Sequence, residues 1–176
     1  MMDVLFPDQY LDSVYDIDYG ALMRAGITNL IYDIDNTLAP FDVAEPFPKT
    51  LELFAGLRGR GFNICLLSNN SHARVEGFCV SLSHLDVGFV AKAGKPGRRG
   101  LRRAMALVGA TGASTALIGD QVFTDVWCAK RSGVYSILVK PLSGRDEFTV
   151  RIKRALERQV LKLYLRSRKR GQITNI

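Results

Sequence analysis

Four short groups of polar residues, each placed just after an apolar run, carry the chemistry this sequence can do. They are Asp33-Ile34-Asp35-Asn36-Thr37 after TNLIY, Ser68-Asn69-Asn70 after FNICLL, Lys95-Pro96 after VGFVAKAG, and Gly119-Asp120-Gln121-Val122-Phe123-Thr124-Asp125 closing TALI. Singly, each has an ordinary structural use. Carboxylates cap turns and helices, Ser68 is placed to cap the helix after it, and a lone lysine is usually solvated. Together they supply what phosphoryl transfer needs. A phosphate monoester is anionic, so a carboxylate attacks it only when the repulsion is offset, and Mg2+ on oxygen donors does that. Asp33 and Asp120 offer carboxylates to the metal, and the backbone carbonyl of Asp35 can point in from the same turn. Lys95 and Ser68 offer a fixed charge and a neutral donor to the phosphoryl oxygens. Asp33 can then form an aspartyl-phosphate that water hydrolyses. Asp35, two residues on, is free to face elsewhere and act as general acid and base.

The elements that must position these groups alternate along the chain. Strands are expected at Thr28–Ile34, Phe62–Ser68, Val87–Ala91, Thr115–Gly119 and Val134–Val139, each nearly continuous in apolar residues, as strands buried on both faces are. Helices are expected at Lys49–Arg60, Ser71–Leu82, Pro96–Val108 and Val122–Ser132, with Gly61 and Gly133 ending two of them. This is the pattern of a three-layer α/β/α domain around a parallel sheet of about five strands, in the order 3-2-1-4-5. In such sheets ligands bind beyond the carboxyl ends of the strands, where all four groups fall. Asp35 and Ser68 are 33 positions apart and Ser68 and Lys95 are 27, which one helix, one strand and short connections use up. No room is left for a cap domain, so the site is expected to be open to a phosphate presented on something large.

The four groups, in this order, resemble the haloacid dehalogenase (HAD) superfamily over residues 28–140, and the Asp-x-Asp-x-Thr form is similar to its phosphatase branch. The resemblance implies Asp33 as nucleophile and Asp35 as acid/base. It also implies Asp33, Asp35 and Asp120 around Mg2+, and Thr37, Ser68, Asn69 and Lys95 around the substrate phosphate. Asp125 would reach the metal through water or orient Lys95. The stretches Phe6-Pro7-Asp8, Val14-Tyr15-Asp16-Ile17-Asp18 and Tyr32 through Leu38 resemble the subclass IIIA, YqeG-like group, related to the phosphatidylglycerophosphate phosphatases of mitochondria and plastids. That implies a lipid phosphate as substrate. The other classes to separate from it are a phosphatase for nucleic-acid ends or small metabolites, and a binding protein without catalysis.

Composition narrows the partners. The 176 residues are 47% hydrophobic and 23% charged, as in a soluble globular protein. The acidic N-terminus does not read as a signal peptide. Cys65, Cys79 and Cys128 lack metal or redox spacing and are expected to be buried thiols in a cytoplasmic protein. The net charge of +7 is unevenly placed: residues 151–176 hold nine Lys/Arg against Glu157, a local +8 that leaves −1 for the other 150 residues. A second basic cluster, Lys92, Lys95, Arg98, Arg99, Arg102 and Arg103, lies inside the domain. The chain thus divides into a catalytic domain over 1–144 and a basic amphipathic helix and tail over 145–176. In that helix Ile152, Ala155, Leu156, Val160, Leu163 and Tyr164 form a stripe expected to pack on the sheet. The segment Arg151–Arg170 is a candidate contact with an anionic membrane surface. Nucleic acid fits less well, because no aromatic array accompanies the basic residues.

Overall fold

Six parallel strands form the centre of the protein, in the order β1-β6-β5-β2-β3-β4. The computed structural model describes residues 3–143 and 148–169, the side chains of 3, 148–154 and 169 excepted. Within it the strands are β1 (Gln9–Leu11), β2 (Asn29–Tyr32), β3 (Asn63–Leu67), β4 (Gly88–Val90), β5 (Thr115–Gly119) and β6 (Tyr135–Val139). The five expected strands are present in the expected order, with β2 at the centre. The sixth, β1, was not foreseen. Its three residues are only half-buried and form no apolar run, but they pair with Ile137–Val139 of β6. The segment before β2 is tied down by its polar groups. Asp8 accepts from the backbone N–H and hydroxyl of Ser136, both at 2.8 Å. Tyr19 donates its hydroxyl to the Val14 carbonyl at 2.8 Å and accepts from Tyr32 at 2.9 Å.

Alternation along the strands divides the core into two layers. Leu30, Tyr32, Ile64, Leu66 and Ile118 face Phe54 of α2 (Pro48–Gly59) and Phe78 of α3 (His72–Val80), with Leu22 of α1 (Tyr19–Arg24) on the same side. Ile31, Cys65, Leu67 and Leu117 face Leu101 and Ala104 of α4 (Arg98–Leu107) and Cys128 of α5 (Trp127–Arg131). All three cysteines are buried and free. Burial pushes the thiols of Cys65 and Cys79 up to about 12 and that of Cys128 to about 11, so they stay protonated core groups. Gly61 and Gly133 follow the ends of α2 and α5 with φ of +90° and +67°, left-handed positions that suit glycine.

Three expectations about helices need correcting. Ser68 does not cap α3; Ser71 does, accepting from the N–H of Arg74. The helix expected over Val122–Ser132 is a π-helical turn, Val122–Val126, running into α5. The last helix, α6 (Phe148–Lys169), packs through Val160 and Tyr164 of its expected stripe but turns Ala155, Leu156 and Leu163 outward. Glu157 and Tyr164 are buried, with Val160 and Leu161 packed beside Val122, Val126 and Leu138. Leu156 and Leu163, by contrast, are 57% and 40% exposed. The boundary near 144, the side chains of Arg151, Ile152 and Arg154, and Arg170 lie outside the described residues.

Candidate active site

All four polar groups come together at the carboxyl edge of the sheet. Asp33 follows β2, with its N–H on the Ile118 carbonyl at 2.9 Å. Ser68 follows β3 and Asp120 follows β5. Lys95 lies beyond β4 in a loop stitched to the second group by two backbone hydrogen bonds, Lys92 N–H to Asn70 and Ala93 N–H to Ser68, each 3.0 Å. The Asn69 amide fixes Lys95 directly, accepting from its N–H at 2.7 Å and donating to its carbonyl at 3.0 Å. Asn69 therefore spends its side chain on the Lys95 backbone. Glycine lets α4 close on this loop, since a Cβ at Gly100 would stand 2.3 Å from the Ala93 carbonyl oxygen. Of the basic cluster within the domain, Lys95 alone is buried; Lys92, Arg98, Arg99, Arg102 and Arg103 face solvent.

One half of the site is dry. Lys95 Nζ donates to Asp33 Oδ1 at 2.6 Å and to Asp125 Oδ1 at 2.7 Å. The other oxygen of Asp125 accepts from the Gln121 N–H at 3.1 Å and the Thr124 hydroxyl at 3.2 Å. Asp125 is pressed against the end of β5 so closely that a Cβ at Gly119 would lie 2.3 Å from its Cγ. The π-helical turn that carries Asp125 receives Glu157 of α6, which accepts from the Phe123 N–H at 3.1 Å. Thr37 Oγ1 sits 3.5 Å from both Asp33 Oδ2 and Asp120 Oδ1. Burial pushes Asp33 well above the usual carboxylate range; Lys95 opposes the shift, and the charges of Asp125 and Asp120 add to it. Burial alone would lower Lys95, but the two carboxylates outweigh it and hold it firmly protonated.

This arrangement fits a hard divalent cation. Carboxylate oxygens of Asp33, Asp120 and Asp125 lie within 4.8 Å of one another, all three residues buried. Carboxylates gathered this closely in a buried place repel one another when ionised, and a bound cation offsets that repulsion. Donors that are all oxygen are those a hard divalent cation takes. Asp125 lies in this carboxylate group and also contacts Lys95 Nζ at 2.7 Å.

The other half is wetter. Asp35 turns away from the carboxylate group. Its Oδ2 faces Asn70 Nδ2 at 3.3 Å and the Ser68 hydroxyl at 3.5 Å, and its Oδ1 pairs with Arg74 Nη2 at 3.1 Å. Ser68 Oγ also accepts from the Asn70 N–H at 3.0 Å. Sequence reasoning missed Arg74 and Glu157, and named Asn70 in the second group without giving it a role. The signal for Glu157 was its being the lone acid among nine bases; Arg74 lies in the helix expected from Ser71, but its contact with Asp35 is long-range and no spacing marks it.

Comparison with known proteins agrees with this geometry. The family model described as haloacid dehalogenase-like hydrolase matches residues 8–133. The chain is 32% identical over 155 residues to the Bacillus subtilis protein named "Probable phosphatase YqeG", covering 88% of each. It is 30% identical over 165 residues to an Arabidopsis thaliana protein named phosphatidylglycerophosphate phosphatase 1, covering 85% of this chain and 45% of that protein. In fold it is similar to a HAD phosphatase from Thermococcus onnurineus, with TM-score 0.53 at 13% identity, over 69% of this chain and 89% of that one. It is equally similar to NagD from E. coli, with TM-score 0.53 at 15% identity, over 70% and 91%.

Proposed function

The chain belongs to the haloacid dehalogenase-like hydrolases and is a phosphatase, and on that premise we propose that it cleaves phosphate monoesters through an aspartyl-phosphate on Asp33, with Mg2+ bound at Asp33, Asp120 and the Asp35 carbonyl. The observation that carries the proposal is the buried group in which Lys95 Nζ lies 2.6 Å from Asp33 and 2.7 Å from Asp125. The bound cation supplies charge that lets carboxylate and phosphate approach. The rest is the work of the chain's own groups. Asp33 attacks phosphorus, the ester P–O bond breaks, and Asp35 hands its proton to the leaving alkoxide. Lys95 and Ser68 hold the phosphoryl oxygens as charge shifts among them. Asp35 then takes a proton from the water that attacks phosphorus, releasing phosphate and freeing Asp33.

The substrate we propose is a lipid phosphate, phosphatidylglycerophosphate going to phosphatidylglycerol. Similarity to the Arabidopsis phosphatase supports it. So does the open site: between β2 and β3 the chain folds only α2, and between β3 and β4 only α3 and one short helical turn. Among the described residues no helix is long and apolar enough to cross a membrane. The protein would meet its substrate peripherally, from the cytoplasmic side, with α6 contributing basic charge. The test is phosphate release from phosphatidylglycerophosphate in mixed micelles, from a 5′-phosphorylated oligonucleotide and from soluble monoesters, with Mg2+ and after chelation. Preference for the lipid is expected. Preference for the oligonucleotide or a small monoester would replace the substrate, and no metal-dependent turnover of any of them would overturn the mechanism.

A further inference from the structure

Arg74 lies in the first turn of α3, close to the site yet outside the four sequence groups. Its guanidinium reaches Asp35 Oδ1 with Nη2 at 3.1 Å and the Ala44 carbonyl with Nη1 at 3.1 Å. Ala44 belongs to the connection between β2 and α2 that passes over this edge of the sheet. The ring of Phe78, one helical turn on, lies 5.6 Å from the guanidinium carbon and backs it. The side chains of Arg74 and Asp35 are 16% and 22% exposed, so the pair is only partly screened by solvent. Arg74 Nε is buried and has no hydrogen-bond partner, so the guanidinium grips the carboxylate through one nitrogen rather than as a fork. One oxygen of Asp35 is thereby held, and the other is left toward Ser68 and Asn70, where the substrate phosphate is placed by the reading above.

We propose that Arg74 is the positioning residue for Asp35: it fixes Oδ1 and aims Oδ2 at the oxygen of the leaving group. This rests on the proposed role of Asp35 as acid and base. A carboxyl on a flexible side chain must sit within about 3 Å of the oxygen it serves, so an anchor on its far oxygen raises the fraction of time it is in place. The single-nitrogen grip suits a group that must serve the alkoxide and then the water from slightly different angles. The Ala44 contact ties that aim to the connection between β2 and α2.

Leaving-group dependence separates this role from a structural one or from direct binding of phosphate. An aryl phosphate such as p-nitrophenyl phosphate leaves without a proton, whereas an alkyl phosphate needs one. We would measure kcat and KM on both, with Mg2+, for wild type, Asp35→Asn, Arg74→Ala, Arg74→Lys and the double variant Asp35→Asn/Arg74→Ala. Arg74→Ala should lose about 10-fold or more in kcat on the alkyl ester and much less on the aryl ester, within the range that a positioned acid contributes. Arg74→Lys should recover part of the loss. The double variant should be no slower than Asp35→Asn, because the two changes remove one function. If Asp35→Asn discriminates between the esters while both Arg74 variants lose equally on them, the positioning role is wrong and the acid assignment stands. A rise in KM alone on both esters would make Arg74 a phosphate ligand and overturn the proposal. A flat profile for Asp35→Asn would overturn the acid assignment and this inference with it. Should Arg74→Ala prove unfolded by circular dichroism, Arg74→Lys and the double-variant cycle with Arg74→Gln decide by the same criteria.

Discussion

Asp33 and Asp35 are two residues apart, and the structure puts them in different solvents. The side chain of Asp33 is 8% exposed and locked to a buried lysine; that of Asp35 is 22% exposed and shares an arginine with the surface. Environment assigns roles to chemically identical groups. A nucleophile benefits from a dry, fixed cationic surround, where each charge acts at short range and low dielectric. An acid that must later become a base needs proton exchange and some freedom to pivot. The dry half is also braced from outside the site: Gly119 admits Asp125, Asn69 fixes Lys95, and Glu157 of α6 holds the turn carrying Asp125. The wet half is braced by Arg74 and Asn70.

The sharpest break of this comparison is in the dry half. Asp33→Asn should lose at least about 10³-fold in kcat on every ester, the scale seen when a covalent nucleophile is removed. It should also fold with unchanged or raised stability, since it relieves a buried carboxylate held above its usual range. Steady-state kinetics on aryl and alkyl esters with a thermal melt checks both. A residual rate near wild type would show that Asp33 is not the nucleophile.

Next in size is the metal. Chelation should abolish turnover, and Mg2+ should restore it. Asp120→Ala should raise the Mg2+ needed for half-maximal rate by more than the roughly 10–100-fold typical of residues that only orient ligands. The same change at Asp125 ranks the two carboxylates. Turnover that survives exhaustive chelation would remove the cation from the mechanism.

Gly119→Ala is smaller and more local. The new Cβ would be 2.3 Å from Asp125 Cγ, so the strand end or the carboxylate must shift. Overpacking of this kind costs about 1–3 kcal/mol of stability. A misplacement of Asp125 near 1 Å can cost about 10²-fold in rate. Asn70→Ala in the wet half should cost less on both counts, and equal effects would mean the halves do not differ in rigidity.

How much of this was written legibly in the sequence follows from range. The strands and the four groups are local signals, apolar runs with polar residues at their ends, and both the sheet order and the meeting of the groups agree with them. Strand β1 is invisible locally because Gln9–Leu11 becomes a strand only through β6, more than a hundred residues on. Arg74 reaches Asp35 across 39 positions, a long-range contact that no local pattern marks. In α6 apolar spacing misleads because the inward face carries a carboxylate. Glu157 is buried for the hydrogen bond it accepts from Phe123, and this turns the apolar row of Leu156 and Leu163 outward.

That outward row extends the contrast of dry and wet to the edge of the molecule, and with it comes the smallest expected effect. Glu157 meets the turn after β5 while Tyr164 packs on Phe6, just before β1, so α6 runs from the carboxyl edge of the sheet toward its amino edge. Its basic end is therefore on the side away from the site, and a tail that simply tethered the site to lipid would be poorly placed. A helix lying flat in the interface is different: it buries an apolar row with basic residues alongside and keeps the strands parallel to the surface. Leu156 and Leu163 form such a row, and Arg158, Lys162 and Arg166, spaced four apart, are exposed on the same helix. Each charge is worth about 1 kcal/mol at an anionic surface at most. Arg158→Gln/Lys162→Gln/Arg166→Gln should lower the rate on anionic vesicles roughly three- to tenfold at low salt, and less at high salt. Leu156→Ser/Leu163→Ser should lower it at either salt, because apolar burial is not screened. Neither set should change turnover of p-nitrophenyl phosphate, since neither touches the site. Equal vesicle binding by wild type and both variants at low salt would leave α6 a packing element, acting through Glu157, Val160, Leu161 and Tyr164.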